Sequence, residues 1–412
     1  MSITFNSWFT STDLINSVKR KISLPTFQNS TSNQDILDFA SEELLISQVP
    51  SILSVHEEYY VYTQDVPLVP QKTKYPIPER AIGIKLRDVF FKDDSGNLFE
   101  MTRVAPDDKA FFQRNSDSNA TLRKYYLQGN DVVLTENSGI LSGYLSFSFF
   151  LRPSRLVPNE RAAYIAAFTK TIGITNSSLV DGDTITIGDS IFTARSSSPG
   201  TNEFLIDTSS LATAANLANA INTADIGISA SSGSPQTSIV TLSYEDVTIE
   251  FSVSNQAGTA LQSTQGIKFT SAVPDNITVG SMIDFLQTRP GHSVRGMDVK
   301  IPTGGVSSDT ISVAISSVPE DLIVGDYVAT AGECIIPQIP TDLHTALAER
   351  TCARILSSIG DMQGLEATNQ KIAEIELRQG SILDSRVEGS QIKVFARHSL
   401  LKVNKIGWRR RF

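Results

Sequence analysis

Cysteine is nearly absent from this chain of 412 residues: Cys334 and Cys352 are the only two. Two thiols cannot make the disulfide framework on which small secreted domains depend. Cys352 falls on an apolar stripe, so a buried, reduced thiol is expected, and synthesis in a cytoplasm with it. Long apolar runs are also missing. No stretch of about 18 apolar residues occurs, which excludes a membrane-spanning helix. The opening MSITFNSWFTSTDL has neither a basic region nor an apolar one, so no signal peptide is expected. Histidine is sparse, with only His56, His292, His344 and His398. None stands in an H-E-x-x-H spacing or beside a cysteine at metal-ligand spacing. Neither G-x-x-x-x-G-K-[ST] nor G-x-S-x-G appears, so the common phosphate-cradling and serine-nucleophile signatures are absent.

What remains is a globular composition, 40% hydrophobic and 19% charged, long enough for two or three domains. The net charge of −9 is unevenly spread. Residues 171–290 hold three Lys/Arg against eleven Asp/Glu, a net −8. Residues 385–412 hold eight Lys/Arg against one Glu, a net +7. An acidic middle and a basic tail follow.

The strongest periodic segment is 340–383. Thr341 is a candidate N-cap, and Ala348, Cys352, Ile355, Leu356 and Ile359 recur at helical spacing. Gly360 suits a left-handed helix end, and Leu365, Ile372, Ile375 and Ile382 form the stripe of a second, antiparallel helix. Leu343, Ala346 and Leu347 lie on the far side of the first helix, which therefore has apolar surface on two sides. It is read as a domain or oligomer core, with an ordinary internal helical pair as the alternative.

Earlier in the chain, Ser11 or Thr12 opens a helix with Leu14, Ile15, Val18 and Ile22 on one face. Ser32 and Asp35 open another that buries Ile36, Leu37, Phe39, Ala40 and Leu44. Pro50 breaks it and starts a further turn. A β-rich block follows, with hairpin signals at 93–96 and at Gly129-Asn130 and a strand over 141–151. Near residue 170 the composition turns to Ser, Thr, Gly and Ala. DGDTITIGDSIFTA reads as turn and strand, SSLATAANLANAINTA as a helix, and 226–230, 239–244 and 247–253 as strands. The predicted fold is α+β: a helical core with an antiparallel helix pair plus a β-rich part. Residues 1–165 and 290–412 make the core, and 171–289 an inserted β-rich module with one helix.

Few residues invite a chemical reading. Asp181, Asp183 and Asp189 could hold a hard cation, but they lack the glycine and distal glutamate of a calcium loop, and a turn between strands is favoured. Glu57 and Glu58 are adjacent on an extended segment and point to opposite faces. His344 reads as structural, and His292, in Arg289-Pro290-Gly291-His292, is the most isolated polar oddity. A glycan hydrolase would need paired carboxylates, and none is recognisable. The last fifteen residues, HSLLKVNKIGWRRRF, interleave Lys402, Lys405, Arg409, Arg410 and Arg411 with apolar residues including Trp408 and Phe412. Trp and Arg commonly anchor interfaces, so a docking tail is expected, with a solvated basic end as the alternative.

HEEYYVYTQDVPLVPQKTKYPIPERAIGIKLRDVFFKDDSGNLFEMTRVAPDD, with the helices before it, resembles the head–tail adaptor proteins of tailed bacteriophages. So does IIPQIPTDLHTALAERTCARILSSIGD with its basic tail. The pattern is also similar to ring proteins of short-tailed, crAss-like phages. The resemblance covers roughly 1–160 and 290–412, and 171–289 resembles small domains of phage tail and decoration proteins. It implies a non-enzymatic virion protein, assembled in the host cytoplasm, forming a ring beneath the portal, usually twelve-fold. It also implies partners: the portal protein, through Lys402, Lys405, Trp408, Arg409, Arg410, Arg411 and Phe412, and the next tail ring or tube protein. DNA would pass through the channel without specific binding, and no cofactor or metal is implied. A tail-tube, baseplate or decoration protein is the alternative.

Overall fold

The computed structural model describes residues 9–22, 31–56, 58–108, 124–135, 143–233 and 237–382. Within them the chain is a mixed α+β fold. Local sequence explains where the first helices start. In α1 (Ser11–Ile22), the Thr10 N–H and hydroxyl both donate to the Asp13 carboxylate, at 3.0 and 2.9 Å. That places a negative charge on the helix N-terminus, where the dipole favours it. In α2 (Asn33–Glu43), Ser32 and Asp35 form a reciprocal capping box. The break expected at Pro50 is a widened turn. Residues Leu44–Gln48 are π-helical, and the Val49 N–H reaches back to the Leu44 carbonyl. Pro50, which has no N–H to donate, then sits in the first turn of α3 (Val49–Val55).

Two four-stranded sheets follow. One has the order Val61–Pro67, Tyr144–Leu151, Ala81–Lys92, Leu98–Glu100, and the other Lys74–Pro76, Asp131–Leu134, Lys124–Gln128, Thr102–Arg103. Both predicted hairpins are present in them. Gly83 (φ +64°) and Ile84 (φ +53°) bulge out of the Ala81–Lys92 strand, and its pairing with Tyr144–Leu151 jumps from Ala81 to Leu86.

The strand Ala162–Ile174 is the spine of a nine-stranded sheet. Its start pairs with Tyr327–Thr330, which continues through Met282–Leu286 to Val294–Lys300. Farther along it pairs with Ile239–Tyr244, Thr259–Leu261 and Thr264–Phe269. The DGDTITIGDSIFTA stretch forms a hairpin, Thr184–Ile187 with Ser190–Arg195. Helix α4 (Ser210–Ala224) is capped by the Ser209 hydroxyl and buries Ala214, Leu217, Ala218 and Ile221. The strand expected over 247–253 is shorter, Phe251–Val253, because Thr248 bonds the Asp246 carboxylate through both its N–H and its hydroxyl. Such a local turn competes with the ladder.

Buried side chains fall into two cores. One gathers α1, α2 and α3 with Phe147, Phe149, Tyr327 and residues 334–356. The other runs from Ala163 to Val328 and takes in Ile283, Phe285, Ile301, Ile311 and Val313 as well as residues before 280.

The last two helices are α5 (His344–Ile359) and α6 (Met362–Ile382), packed against each other across a tight turn. Gly360, at φ +83°, closes α5 in the left-handed conformation expected of it. Thr341 does not cap α5. The Leu343 N–H bonds the Pro340 carbonyl, so Thr341–Leu343 is a 3₁₀ turn and the α-helix begins three residues later. Ile355 is fully buried. Ile355→Asp should cost several kcal/mol by burying an unpaired carboxylate, read as a lower urea midpoint. Wild-type melting of that variant would contradict this packing.

Candidate functional site

Helix α5 is the hub of the first core. Ala348, Cys352, Ile355 and Leu356 are buried, while Ile359, expected on the same stripe, is 38% exposed at the helix end. The surface on both sides of α5 is covered within the chain, by α1, α2 and α6. Its two-sided apolar character is therefore accounted for without a second copy and gives no argument for a ring. Its polar positions are tied down as well. Glu349 pairs with Lys21 of α1 at 2.7 Å. Arg354 reaches Glu42 at 2.8 Å and Glu43 at 2.5 Å, both on α2, and Arg350 pairs with Glu376 of α6. Burial pushes both thiols up, that of Cys352 to about 12, so both stay protonated. They are inert packing groups.

On α6 contact with the body runs as far as the Glu376 ion pair. Thr368 is buried, Leu365, Ile372 and Ile375 are half-buried, and Leu377 is 84% exposed. The side chain of Ile382 and the tail residues Lys402, Lys405, Trp408, Arg409, Arg410, Arg411 and Phe412 lie outside the described residues.

Between the two cores lies a buried ion pair that sequence reading missed. Arg80 donates to the Asp284 carboxylate at 2.7 Å and to the Ser154 hydroxyl at 3.1 Å. Asp284 is fully buried and also accepts from the backbone N–H groups of Asp298 and Gly332, each at 3.0 Å. The only sequence signal was an acid inside the apolar run Met282–Leu286. Its arginine is 204 positions away and carries no local mark.

The same seam brings together the two histidines noted separately in the sequence. His292, at φ +41°, and His344 have ring centroids 5.4 Å apart, with Phe9 5.2 Å from His344. His344 Nε2 lies 3.3 Å from the Pro337 carbonyl, and Tyr59 donates to the Gly291 carbonyl at 3.2 Å. Gln338 ties the seam to the strands: its carbonyl accepts from Tyr60 at 2.9 Å and its side chain from the Ser154 N–H at 2.6 Å. Asp326 is also buried here and caps the Thr288 and Ile323 N–H groups. Burial holds the His292 imidazole down to about 4, and the neighbouring His344 adds to this; burial also lowers His344. The arrangement is that of a packed neutral seam.

The three aspartates considered for a cation are separated by their turns. Asp181 accepts from the Ser196 N–H at 2.7 Å. Asp183 accepts from Val180 and Asn255, and Asp189 sits in the hairpin turn. Among the described residues no three His, Cys, Asp or Glu side chains cluster as a metal site would need. Nor is any helix among them long and apolar enough to cross a membrane. No protein-family model matches the chain, and no curated protein matches it either.

Two outcomes test this seam. Arg80→Met should cost about 3–5 kcal/mol by stranding the Asp284 charge, and adding Asp284→Asn should recover part of it. An undiminished urea midpoint in Arg80→Met would refute the pairing. The second concerns acid. Unfolded histidine protonates near 6.5, His292 in the folded chain at about 4 and His344 below its ordinary value, so the unfolded chain binds more protons over the range between 6.5 and 4. Stability is therefore full above about pH 6.5 and falls as pH drops toward 4, on the order of 3 kcal/mol for His292. Asp298 and Asp326, raised mainly by burial, act with the opposite sign just above the ordinary carboxylate range. His292→Gln should flatten the fall between pH 6.5 and 4; an unchanged profile would contradict the assignment.

Proposed function

We propose that this chain is a structural protein of a phage virion neck, a head–tail adaptor that forms a ring under the portal and extends the DNA channel. In this reading 171–289 belongs to an inserted β-rich module, and the basic tail docks on the portal. The observation that carries the proposal is that the two sequence stretches resembling adaptors share one core. They lie far apart in the chain, yet Tyr60 bonds Gln338, the Val157 N–H bonds the Cys334 carbonyl, and α5 packs on α1 and α2. The intervening residues supply most of the other core. Helix α6 supports the reading too. Its Leu377 is 84% exposed, and the basic segment 385–412 follows the helix in the sequence.

Mechanically, such a tail suits assembly. Its cations and aromatic rings are the groups that anchor most readily in a partner's cleft. There Trp408 and Phe412 bury their rings while Arg409, Arg410 and Arg411 pair with carboxylates or helix-end carbonyls. A chain ending at Asn404 should fold normally and fail to bind the portal protein encoded in the same genome. Trp408→Ala should weaken binding at least ten-fold, and added salt should weaken it further. Equal affinity of the truncated and full chains, by calorimetry, would remove the tail from the docking role. Binding only to a tube or baseplate protein would favour the alternative position in the tail.

A further inference from the structure

The spine strand Ala162–Ile174 carries one residue that breaks its own pattern. Its alternation sends Phe168, Ile172 and Ile174 into the second core. Lys170 occupies the same phase, between Phe168 and Ile172, and is 2% exposed. Across the sheet it faces Leu242. An ammonium at such a position is unfavourable unless it is paired and fully hydrogen-bonded.

The neighbouring polar groups satisfy one another and leave Lys170 out. Tyr244 donates to Gln265 Oε1 at 2.9 Å, and Gln265 Nε2 donates to the Thr169 and Gly266 carbonyls. Lys170 Nζ has three N–H groups and gives one to the Thr264 carbonyl at 3.1 Å. No carboxylate among the described residues stands beside it, and burial alone lowers its amine below the usual lysine value. The Thr264 hydroxyl oxygen is buried and makes no hydrogen bond among the described residues. Two unused N–H groups of Lys170 and one unused hydroxyl thus belong to one small region of the core.

Lys170 also lines a cleft of about 790 Å³. Val247, Ile249, Phe251, Leu261, Ile315 and Val318 supply its apolar walls. Its other titratable groups are Glu250 and Glu320, both exposed to solvent. Those two carboxylates disfavour a phosphate or a nucleic acid, whose multiple charges they would repel. A single negative charge on an apolar stem meets the walls favourably and reaches the one buried cation. We propose that this cleft binds a monocarboxylate on an apolar stem, its oxygens accepting from the remaining N–H groups of Lys170 Nζ. The proposal stands independently of a role in the virion neck.

Calorimetric titration of the full chain with hexanoate, and with hexan-1-ol as the uncharged probe of equal length, tests it. Hexanoate should bind at least ten-fold more tightly than hexan-1-ol, and Lys170→Met should abolish that preference while the protein still folds. Absence of hexanoate binding, equal binding of the two probes, or a preference retained in Lys170→Met would overturn it. A second measurement needs no variant. Hexanoate should raise the pKa of the Lys170 amine, followed by NMR of the isotopically methylated chain, because an anionic partner favours the ammonium. An amine that titrates identically with and without hexanoate would also overturn the proposal.

Discussion

One strand has to serve two hydrophobic cores. At the start of Ala162–Ile174, Ala162 and Tyr164 pack on the first core, and Ala163 and Ile165 on the second. A strand's side chains alternate with a period of two, so its two faces can meet two cores at once. After a register shift between Ile165 and Ala167, the second core is met by Phe168, Ile172 and Ile174, and the neighbours change from Tyr327–Thr330 to Ile239–Tyr244 and Thr264–Phe269. The Arg80–Asp284 pair and the histidine seam then lie where elements of both cores meet. Removing one member of that pair leaves the other buried and charged, so the join is sensitive in a way that exposed ion pairs elsewhere are not.

The helical side obeys a different logic. Helix α5 is enclosed by α1, α2 and α6, and its charged positions are spent on neighbours in the same chain. Assembly surfaces must therefore be sought on elements that the body leaves uncovered. Helix α6 is the clearest of these, with Met362 69% and Leu377 84% exposed. An exposed apolar residue at the end of a long helix is common on its own, and it gains meaning here from the basic, aromatic segment that follows.

Much of this was legible in the sequence where the signal is local. Helix α1 follows from apolar periodicity, though its first turn is held by Thr10 and Asp13 rather than by the expected Ser11 or Thr12, and α2 follows from periodicity and its Ser32–Asp35 cap. The hairpins follow from turn residues between alternating strands, and Gly360 from the need for a left-handed residue. What stayed hidden is long-range. Nothing near Arg80 announces Asp284, and nothing near His292 announces His344, because strand order decides which distant residues meet. Thr341 was misplaced by one turn because a proline carbonyl captured the Leu343 N–H first. Lys170 is an intermediate case: its place in the apolar phase can be read from the sequence, but its missing counter-charge needs the neighbouring strands. The tail residues from Lys402 to Phe412 were read from composition alone.

The central proposal is that this chain extends a portal channel and docks on the portal through its basic tail. Electron cryo-microscopy of the full chain mixed with the portal protein of the same genome tests it most directly. The account predicts a closed ring stacked coaxially on the portal, with density for the segment after α6 entering clefts between portal subunits. A chain that stays monomeric, or that binds in isolated copies away from the portal axis, would contradict it.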